Sequence, residues 1–242
     1  MRLLPLIVLA LSAHVTAEER PLRFSVTESW AMPMIRIENG QATGGILYDL
    51  QHRLAQKVGR RAELQVMPRM RVQQIMVRGE IDVRCYVNPA FLQESHYQYI
   101  WSVPFMNQRD VLVSRSQPPQ DLHPEQLPGH AIGTVLGFTY PRLEPLFARG
   151  DLRRDDARTQ HLVLDKLLAH RYDYAVSNDK SLEWYNRHQP PGQRLYESSE
   201  LGNDLMSCIV RNEPDVPTMQ LLRAMVRMKE DGEFDEILSR YR

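Results

Sequence analysis

The sequence lacks an excess of charge of either sign, since its 242 residues include 30 lysines and arginines against 30 aspartates and glutamates. Proteins that bind nucleic acids in general carry surplus basic charge that neutralises phosphates, so this balance argues against nucleic acid as a partner. The hydrophobic share of 43% excludes a disordered chain, which combines low hydrophobicity with a large charge imbalance. The length allows one large domain or two small ones.

Long apolar runs are also scarce. The run at residues 3–11 is shorter than the ~20 residues that a transmembrane helix needs, and no later run approaches that length. It follows a basic start at Arg2 and precedes small residues at 15–17, the pattern of a secretory signal. We therefore expect residues 1–17 to be a cleaved signal peptide and the mature protein to be exported to the periplasm. An uncleaved anchor helix is the alternative.

Cysteine and catalytic motifs are nearly absent. Cys85 and Cys208 are the two cysteines, and they lie too far apart for a CxxC redox motif or a zinc knuckle. In an exported protein they form one disulfide or remain two small buried side chains. The chain has no GxSxG, HExxH, GxxxxGK or full GxGxxG motif, and its eight histidines lack metal-ligand spacing. We expect no metal, no cofactor and no enzymatic activity.

Two successive α/β units are visible in the hydrophobic pattern. In the first, apolar residues at every fourth position from Ile46 to Val58 predict an amphipathic helix that stops at Gly59. The order strand, helix, strand, helix, strand predicts an open parallel sheet. The first unit has predicted strands at 22–26, 63–67 and 81–87 and helices at 46–58 and 71–77. The second has predicted strands at 111–113, 131–135, 172–177 and 205–210 and helices at 139–148, 161–170, 180–187, 219–228 and 234–241. The charged residues at 153–158 are interpreted as a solvated face.

Several short motifs occur in an order typical of one family, and the closing segment around Gly232 is the most similar of them. On these motifs, the chain resembles the periplasmic solute-binding proteins of the polar-amino-acid type, often called family 3. The motifs are Ser29-Trp30, Gly45-Ile-Leu-Tyr-Asp49-Leu, Pro68-Arg-Met-Arg71, Gly79-Glu-Ile-Asp82, Trp101-Ser-Val-Pro104-Phe, Gly133-Thr-Val-Leu-Gly137-Phe-Thr139, Tyr172-Asp173-Tyr-Ala-Val and Lys229-Glu-Asp-Gly232-Glu-Phe-Asp-Glu-Ile237.

The resemblance implies an α/β chain with the two-lobed periplasmic-binding-protein type II fold, in which each lobe is an open, mostly parallel sheet flanked by helices. Lobe 1 would comprise residues 18–106 and 205–242, and lobe 2 residues 107–204. A ligand would bind in the cleft between them, where the loops after parallel strands converge. The same resemblance makes the strands of Cys85 and Cys208 neighbours, which favours a disulfide between them.

The family's ligand positions fall on a defined set of residues here. Trp30 would cover the ligand, or else pack inside lobe 1. Thr139 would bind a carboxylate at a helix N-terminus, or else only cap that helix. Tyr86 is a cleft residue or a buried strand tyrosine. The ligand-binding candidates are Trp30, Arg69, Arg71, Tyr86, Phe138, Thr139 and Asn178.

Two departures from the family's pattern affect the ligand. No arginine occurs between Phe91 and Trp101, where relatives grip the carboxylate of an amino acid. Asn178 replaces the aspartate that binds the ammonium group. Arg69 and Arg71 are candidates to supply the missing positive charge, or else they are structural or surface arginines. Arg84 we interpret as a structural arginine paired with an acid.

Three functions fit the resemblance. The first is capture of a small polar, amino-acid-like or carboxylate-bearing solute by a monomer that delivers it to an ABC permease of the inner membrane. The second is a sensor or accessory protein that presents its bound state to a membrane receptor. The third is an enzyme on the same scaffold, such as a cyclohexadienyl dehydratase. That chemistry needs a carboxylic acid with a raised pKa in the cleft, for which Glu28 and Asp179 are the candidates.

Overall fold

A computed structural model describes residues 20–92, 99–117 and 122–242, so the predicted signal peptide lies outside the described residues. The strands are β1 (Leu22–Thr27), β2 (Arg36–Glu38), β3 (Gln41–Gly44), β4 (Ala62–Met67), β5 (Val83–Val87), β6 (Tyr99–Trp101), β7 (Met106–Ser114), β8 (Ala131–Val135), β9 (Arg153–Ala157), β10 (Tyr174–Asn178) and β11 (Tyr196–Arg211). The helices are α1 (Ile46–Lys57), α2 (Arg69–Val77), α3 (Glu144–Arg149), α4 (Gln160–Leu168), α5 (Asp179–Arg187), α6 (Thr218–Glu230) and α7 (Glu233–Ser239). Within the described part of the chain, no helix has the length and apolar character to cross a membrane.

Two parallel half-sheets form the two lobes. In lobe 1, β1 pairs in parallel with β4 and β5. In lobe 2, β8 pairs in parallel with β9 and β10. The fold is therefore the predicted α/β arrangement with a mostly parallel sheet in each lobe.

The strands β7 and β11 join the lobes. β11 is antiparallel to β5 in one lobe and to β7 over most of its length, and β7 is antiparallel to β10 in the other. The predicted strand at 205–210 is thus only the end of a 16-residue strand. The polar residues at 196–204 gave no periodic signal, because long-range pairing with β7 rather than burial makes them extended. The predicted lobe boundary at 204/205 falls inside this strand and stays a prediction.

Each lobe has its own hydrophobic core. Helix α1 buries its apolar stripe, including Leu47, Leu50 and Leu54, in the core of lobe 1. Its start depends on Gly45, because a Cβ there would come within 2.7 Å of the Ile35 Cα atom. In lobe 2, Val163 and Leu167 of α4 pack in a separate cluster against β8 and β10.

One helix prediction for lobe 2 is wrong, and one charged segment has more structure than expected. The helix expected from Thr139 begins at Glu144, because residues 136–143 form turns and irregular loop instead. The charged segment expected to be a solvated face is exposed or half-exposed, as predicted, and it also forms the edge strand β9. Its Asp155 and Asp156 accept hydrogen bonds from Lys166 and Thr134 respectively, and charged side chains are common on exposed edges, where they hinder further strand pairing.

A buried carboxylate ties β1 to the end of β11. Asp82 has a fully buried side chain and accepts hydrogen bonds from Arg23, Arg20 and Arg211 at 2.8, 3.2 and 3.0 Å. Burial pushes the pKa of Asp82 up, but the hydrogen bonds from Arg23 and Arg211 outweigh it and lower the pKa to about 2. Asp82 is therefore ionised and structural at neutral pH.

Candidate ligand-binding cleft

A cavity of about 70 Å³ lies between the lobes. It is bounded by the loops that follow β1 and β8, by the ends of β5 and β10, and by the joining strand β7. This volume is well below the ~300–1,000 Å³ of sites for drug-sized ligands, so the cavity suits a small molecule. The residues that line it are Trp30, Ala31, Met34, Arg69, Arg84, Tyr86, Val87, Gln108, Asp110, Phe138, Thr139, Tyr140, Gln160, Val176, Ser177, Asn178, Ser181 and Met206.

All of the sequence-predicted ligand residues except Arg71 line this one cavity. Arg71 is exposed on α2 and is not among the lining residues. Its neighbour Arg69, at the start of the same helix, is half-buried and does face the cavity. A helix turns by about 100° per residue, so positions two apart point in different directions.

Trp30 and Tyr86 each pack in the lobe 1 core and also line the cleft, so both alternatives predicted from the sequence apply. Their rings meet edge to face with centroids 5.4 Å apart, and both side chains belong to or contact the lobe 1 core while lining the cavity. Tyr86 has a φ of 63°, which is unusual for a residue with a side chain. It lies next to a register shift in the pairing of β5 with β11.

The loop after β8 brings Phe138 and Thr139 to the cavity wall, but not as a helix N-terminus. Since α3 begins at Glu144, the prediction that free amide groups of that helix surround Thr139 is wrong. The Phe138 carbonyl accepts a hydrogen bond from Arg154, which holds the loop to the edge strand β9. Thr139 contributes its side chain without a helix end.

Asn178 caps helix α5, and its Oδ1 accepts a 2.8 Å hydrogen bond from the Ser181 amide. Its amide oxygen is therefore occupied, while its NH₂ group is a donor at the cavity. The neighbouring Asp179 ion-pairs with Arg109 and Lys180 and is not a lining residue. Glu28, the other candidate acid, lines a separate groove of about 650 Å³ outside the cavity.

Arg84 differs from the sequence interpretation. It is 4% exposed and lines the cavity, and no described carboxylate lies within ion-pair distance of it or of Arg69. The polar contact of its guanidinium is the Met76 sulfur, 3.1 Å from Nη1. Burial, and then the nearby charge of Arg69, lower the pKa of Arg84 to about 9, and burial lowers that of Arg69. The prediction of an acid-paired structural arginine is therefore wrong.

Asp110 is the functional candidate that the sequence reasoning missed. It faces the cavity from β7 and accepts a 2.6 Å hydrogen bond from Gln108 Nε2. Burial raises the pKa of Asp110 to about 7; the Gln108 bond opposes this rise, and the charges of Asp204 and Asp179 add to it. The sequence pattern that could have identified Asp110 is the two-residue period of a strand, which puts Gln108 and Asp110 on the same face. It was missed because the predicted strand began only at residue 111.

The cysteines are bonded to each other. Cys85 of β5 and Cys208 of β11 are direct cross-strand partners with their Cα atoms 3.9 Å apart, and the disulfide crosslinks two strands of lobe 1 one residue before Tyr86. The disulfide favoured by the family resemblance is confirmed in the structure. Among the described residues, no cluster of three or more His, Cys, Asp or Glu side chains has an arrangement that holds a metal ion.

Direct hydrogen bonds connect the two lobes. The amide of Gln160 donates a 3.0 Å hydrogen bond to the carbonyl of Ser29. Arg187 of α5 also donates to the carbonyl of Tyr241 at 2.9 Å. The two lobes are therefore in direct contact in this structure.

Comparison with solved structures identifies the fold. An ancestral arginine-binding protein bound to arginine matches with a TM-score of 0.76 and 21% identity, covering 93% of this chain and 99% of that chain. An ancestral amino acid-binding protein, a precursor of cyclohexadienyl dehydratase, matches with a TM-score of 0.70 and 16% identity, covering 91% and 95%. A histidine kinase sensor domain with similarity to periplasmic binding proteins matches with a TM-score of 0.72 and 17% identity, covering 93% and 96%.

No protein-family model matches the sequence, and the comparison with curated proteins finds no match. At these identities the solved structures establish the architecture alone. The resemblance to the family 3 solute-binding proteins is therefore confirmed at the level of structure: the chain has the two-lobed periplasmic-binding-protein type II fold of amino-acid-binding proteins.

Proposed function

We propose that this protein binds a small carboxylate-bearing solute between its lobes, in the periplasm, and delivers it to an ABC permease of the inner membrane. The observation that carries this proposal is the pair of cavity-lining arginines, Arg69 and Arg84, which have no carboxylate partner among the described residues. The solved relatives that bind amino acids support the same solute class.

The energetic reason is that a buried charge without a counter-ion is unfavourable. The pKa of Arg84 is lowered to about 9, so the side chain still carries its charge at neutral pH. A ligand carboxylate that enters the cavity would provide the missing counter-ion for two guanidinium groups at once. Arginine is the side chain best suited to this, because its planar fork binds both carboxylate oxygens.

Isothermal titration with a panel of small carboxylates, matched amides and matched amines tests the proposal. We expect binding by carboxylates and not by their amides. The variants Arg84→Met and Arg69→Met should lose this binding by about tenfold or more, as expected for loss of a charge-assisted hydrogen bond. Arg71→Met is the matched control and should bind normally, because Arg71 is exposed and does not line the cavity. Equal binding of carboxylates and amides would contradict the proposal.

The Arg84→Met variant also separates binding from folding. Removing an uncompensated buried charge should leave the protein as stable as the wild type or more so. A loss of affinity with unchanged or increased melting temperature would therefore identify a ligand contact. A loss of both would mean that Arg84 serves the fold.

Transport and signalling use the same binding event, and one solved relative is a sensor domain of a histidine kinase. Transport is our first proposal and a sensor role is the alternative, because the arginine-binding protein and the sensor domain each match 93% of this chain. Uptake of the radiolabelled ligand by cells with and without the gene discriminates the two, since only a transport protein is required for uptake.

An enzyme on this scaffold is the second candidate, and one observation favours it. Asp110 is a cavity carboxyl group with its pKa raised to about 7, the property of a proton donor, whereas Glu28 and Asp179 lie outside the cavity lining. We propose binding without turnover. Recovery of each bound solute chemically unchanged after prolonged incubation, measured by mass spectrometry, is the expected result, and conversion of prephenate or arogenate would overturn it.

A further inference from the structure

Arg187, at the end of α5 in lobe 2, reaches across to residues 241–242, which follow α7 in lobe 1. We infer that Arg187 is a positioning residue: it joins the lobes in a clasp outside the cavity and thereby sets the affinity for the solute, an inference that rests on the proposed binding function. Arg187 lines neither the interlobe cavity nor the groove of about 650 Å³ outside it. Its effect on binding therefore passes through the arrangement of the lobes and not through contact with the solute.

The lobe 2 half of the clasp is a cation held against an aromatic ring. The Arg187 guanidinium lies over the Trp184 ring, 4.8 Å from its centroid, three positions later on the same helix. From there Nη2 donates a 2.9 Å hydrogen bond to the carbonyl of Tyr241, and Nη1 donates to the carbonyl of Arg242. The Trp184 ring also meets the Tyr241 ring, with centroids 6.4 Å apart. Stacking on the ring fixes the direction of the guanidinium, so its N–H groups are oriented toward the two carbonyls before they bind.

The lobe 1 half of the clasp is anchored at the start of α1. The Tyr241 phenol donates a 3.0 Å hydrogen bond to Asp49 Oδ2 and accepts one of 3.2 Å from the Gly45 amide. The preceding residue, Arg240, also donates to Asp49, and Tyr241 packs against the lobe 1 core. The carbonyls that Arg187 reaches are therefore fixed to lobe 1.

Both halves of the clasp are connected to residues of the cavity wall. A Cβ on Gly45 would lie 2.7 Å from the Ile35 Cα and from the Met34 carbonyl oxygen, so the start of α1 packs tightly on this segment. Met34 lines the cavity. In lobe 2, α5 runs from its cap Asn178, which also lines the cavity, to Arg187. The clasp therefore holds one cavity-lining segment of each lobe in place.

The clasp stabilises the conformation in which the lobes touch each other directly. In the same conformation Met70 of lobe 1 lies against Gly137 of lobe 2. Rotation of the lobes about the joining strands β7 and β11 would separate α5 from the segment after α7, because these elements belong to different lobes. Contacts made in one state shift the equilibrium toward that state by their free energy. Loss of the clasp should therefore weaken every solute that binds the closed form by the same factor.

The first measurement is made without any solute, by solution X-ray scattering. We expect Arg187→Met to have a larger radius of gyration than the wild type, because methionine keeps an apolar stem over Trp184 but has no donor for the carbonyls. Tyr241→Phe keeps both carbonyl acceptors and removes the anchor to Asp49, so it should expand the protein by less. The double variant should be no larger than Arg187→Met alone, because both changes act on one clasp.

Arg115→Met is the matched control. Arg115 also donates to two backbone carbonyls, those of Leu167 and Tyr172, but all three residues belong to lobe 2. This variant should keep the radius of gyration of the wild type. If Arg187→Met also keeps it, whether or not the melting temperature falls, Arg187 serves only the local fold and the inference is overturned.

The second measurement is isothermal titration with acetate, succinate and L-alanine. Each probe that binds the wild type should bind Arg187→Met about three- to tenfold more weakly, the size expected of a partly exposed charge-assisted hydrogen bond. The factor should be the same for all of them, and Arg115→Met should bind normally. A factor that differs between probes would mean that Arg187 contacts the solute, contrary to the inference. If no carboxylate binds the wild type, the proposed function fails, and the scattering result still decides whether the clasp exists.

Discussion

Gly137 of lobe 2 lies against Met70 of lobe 1, so closely that a Cβ on Gly137 would come within 3.2 Å of Met70 Sδ and 3.5 Å of Arg69 Cγ. Gly137 also has a φ of 76°, which residues with side chains rarely adopt. We therefore expect Gly137→Val to push the Met70 and Arg69 side chains aside and to loosen the contact between the lobes. A larger radius of gyration than that of the wild type, measured by solution X-ray scattering, is the expected result.

Gly129→Val is the matched control for this variant. Gly129 has a φ of 80° but nothing within 4 Å of its hypothetical Cβ, so it shares the backbone strain and not the contact. Both variants should lose about 1–2 kcal/mol of stability from the left-handed backbone. Equal radii of gyration for the two variants would rule out the interlobe contact as the cause.

Loss of the Asp82 carboxylate should destabilise the protein strongly. Asp82→Asn leaves Arg23, Arg20 and Arg211 around a neutral group, at a cost of about 3–5 kcal/mol for a broken buried pair. Asp215→Asn removes an exposed carboxylate from the same arginines and should cost about 1 kcal/mol or less. Urea unfolding at pH 7 measures both values, and similar costs would contradict the structural role of Asp82.

The Asp82 contribution should depend on pH. The folded pKa of about 2 lies below the unfolded value of 3.8, so the stabilisation is complete above pH 4 and is lost as the pH falls from 4 to 2. About 2 kcal/mol of the difference between wild type and Asp82→Asn should disappear in this window. A difference that stays constant down to pH 2 would be inconsistent with the lowered pKa.

Asp110 should act on stability in the opposite direction. In the folded protein the pKa of Asp110 is about 7, which is above the value of 3.8 in the unfolded chain. Between pH 4 and pH 7 the folded state therefore keeps a proton that the unfolded state releases. The free energy of unfolding falls as the pH rises through this range. Asp110→Asn removes this penalty, worth at most about 4 kcal/mol and less where water enters the cavity. Its melting temperature relative to wild type should rise between pH 4 and pH 7 and level off above.

The disulfide should contribute most of its stabilisation through the unfolded chain. Cys85 and Cys208 close a loop with a sequence separation of 123, for which chain entropy suggests about 4–5 kcal/mol. Reduction should lower the melting temperature of the wild type but not that of a Cys85→Ala, Cys208→Ala double variant. Mass spectrometry that finds two free thiols in the unreduced protein would refute the bond.

Asn178 should contribute to protein stability as the N-cap of helix α5, in addition to lining the cavity. Asn178→Ala removes the cap on the Ser181 amide and should cost about 1 kcal/mol, whereas Asn178→Asp keeps an oxygen there and should not. Thr159→Ala is the control, because Thr159 caps α4 in the same way without lining the cavity. Thermal unfolding that shows no loss for Asn178→Ala would contradict the capping role.

The order of strands and helices was predictable because it depends on local patterning. The stripe from Ile46 to Leu54 is buried as α1, and the predicted strand at 131–135 is β8. The elements that were missed or truncated, such as the first part of β7 and of β11, are polar segments. They become strands because a distant partner satisfies their backbone groups, which no local period reveals.

The sequence by itself determined the two-lobed α/β fold, the family resemblance and six of the eighteen residues that line the cleft, because these follow from hydrophobic period and short motifs. The tertiary structure alone decided which charges face the cavity. Arg84, Gln108 and Asp110 turn inward because of the register of β5, β11 and β7, and that register includes shifts that reset the alternation of faces. Arg71 turns outward because α2 begins at Arg69. Whether a charged side chain has an ion-pair partner depends on contacts between residues far apart in sequence. The presence or absence of such a partner distinguishes a structural arginine from a candidate ligand-binding arginine.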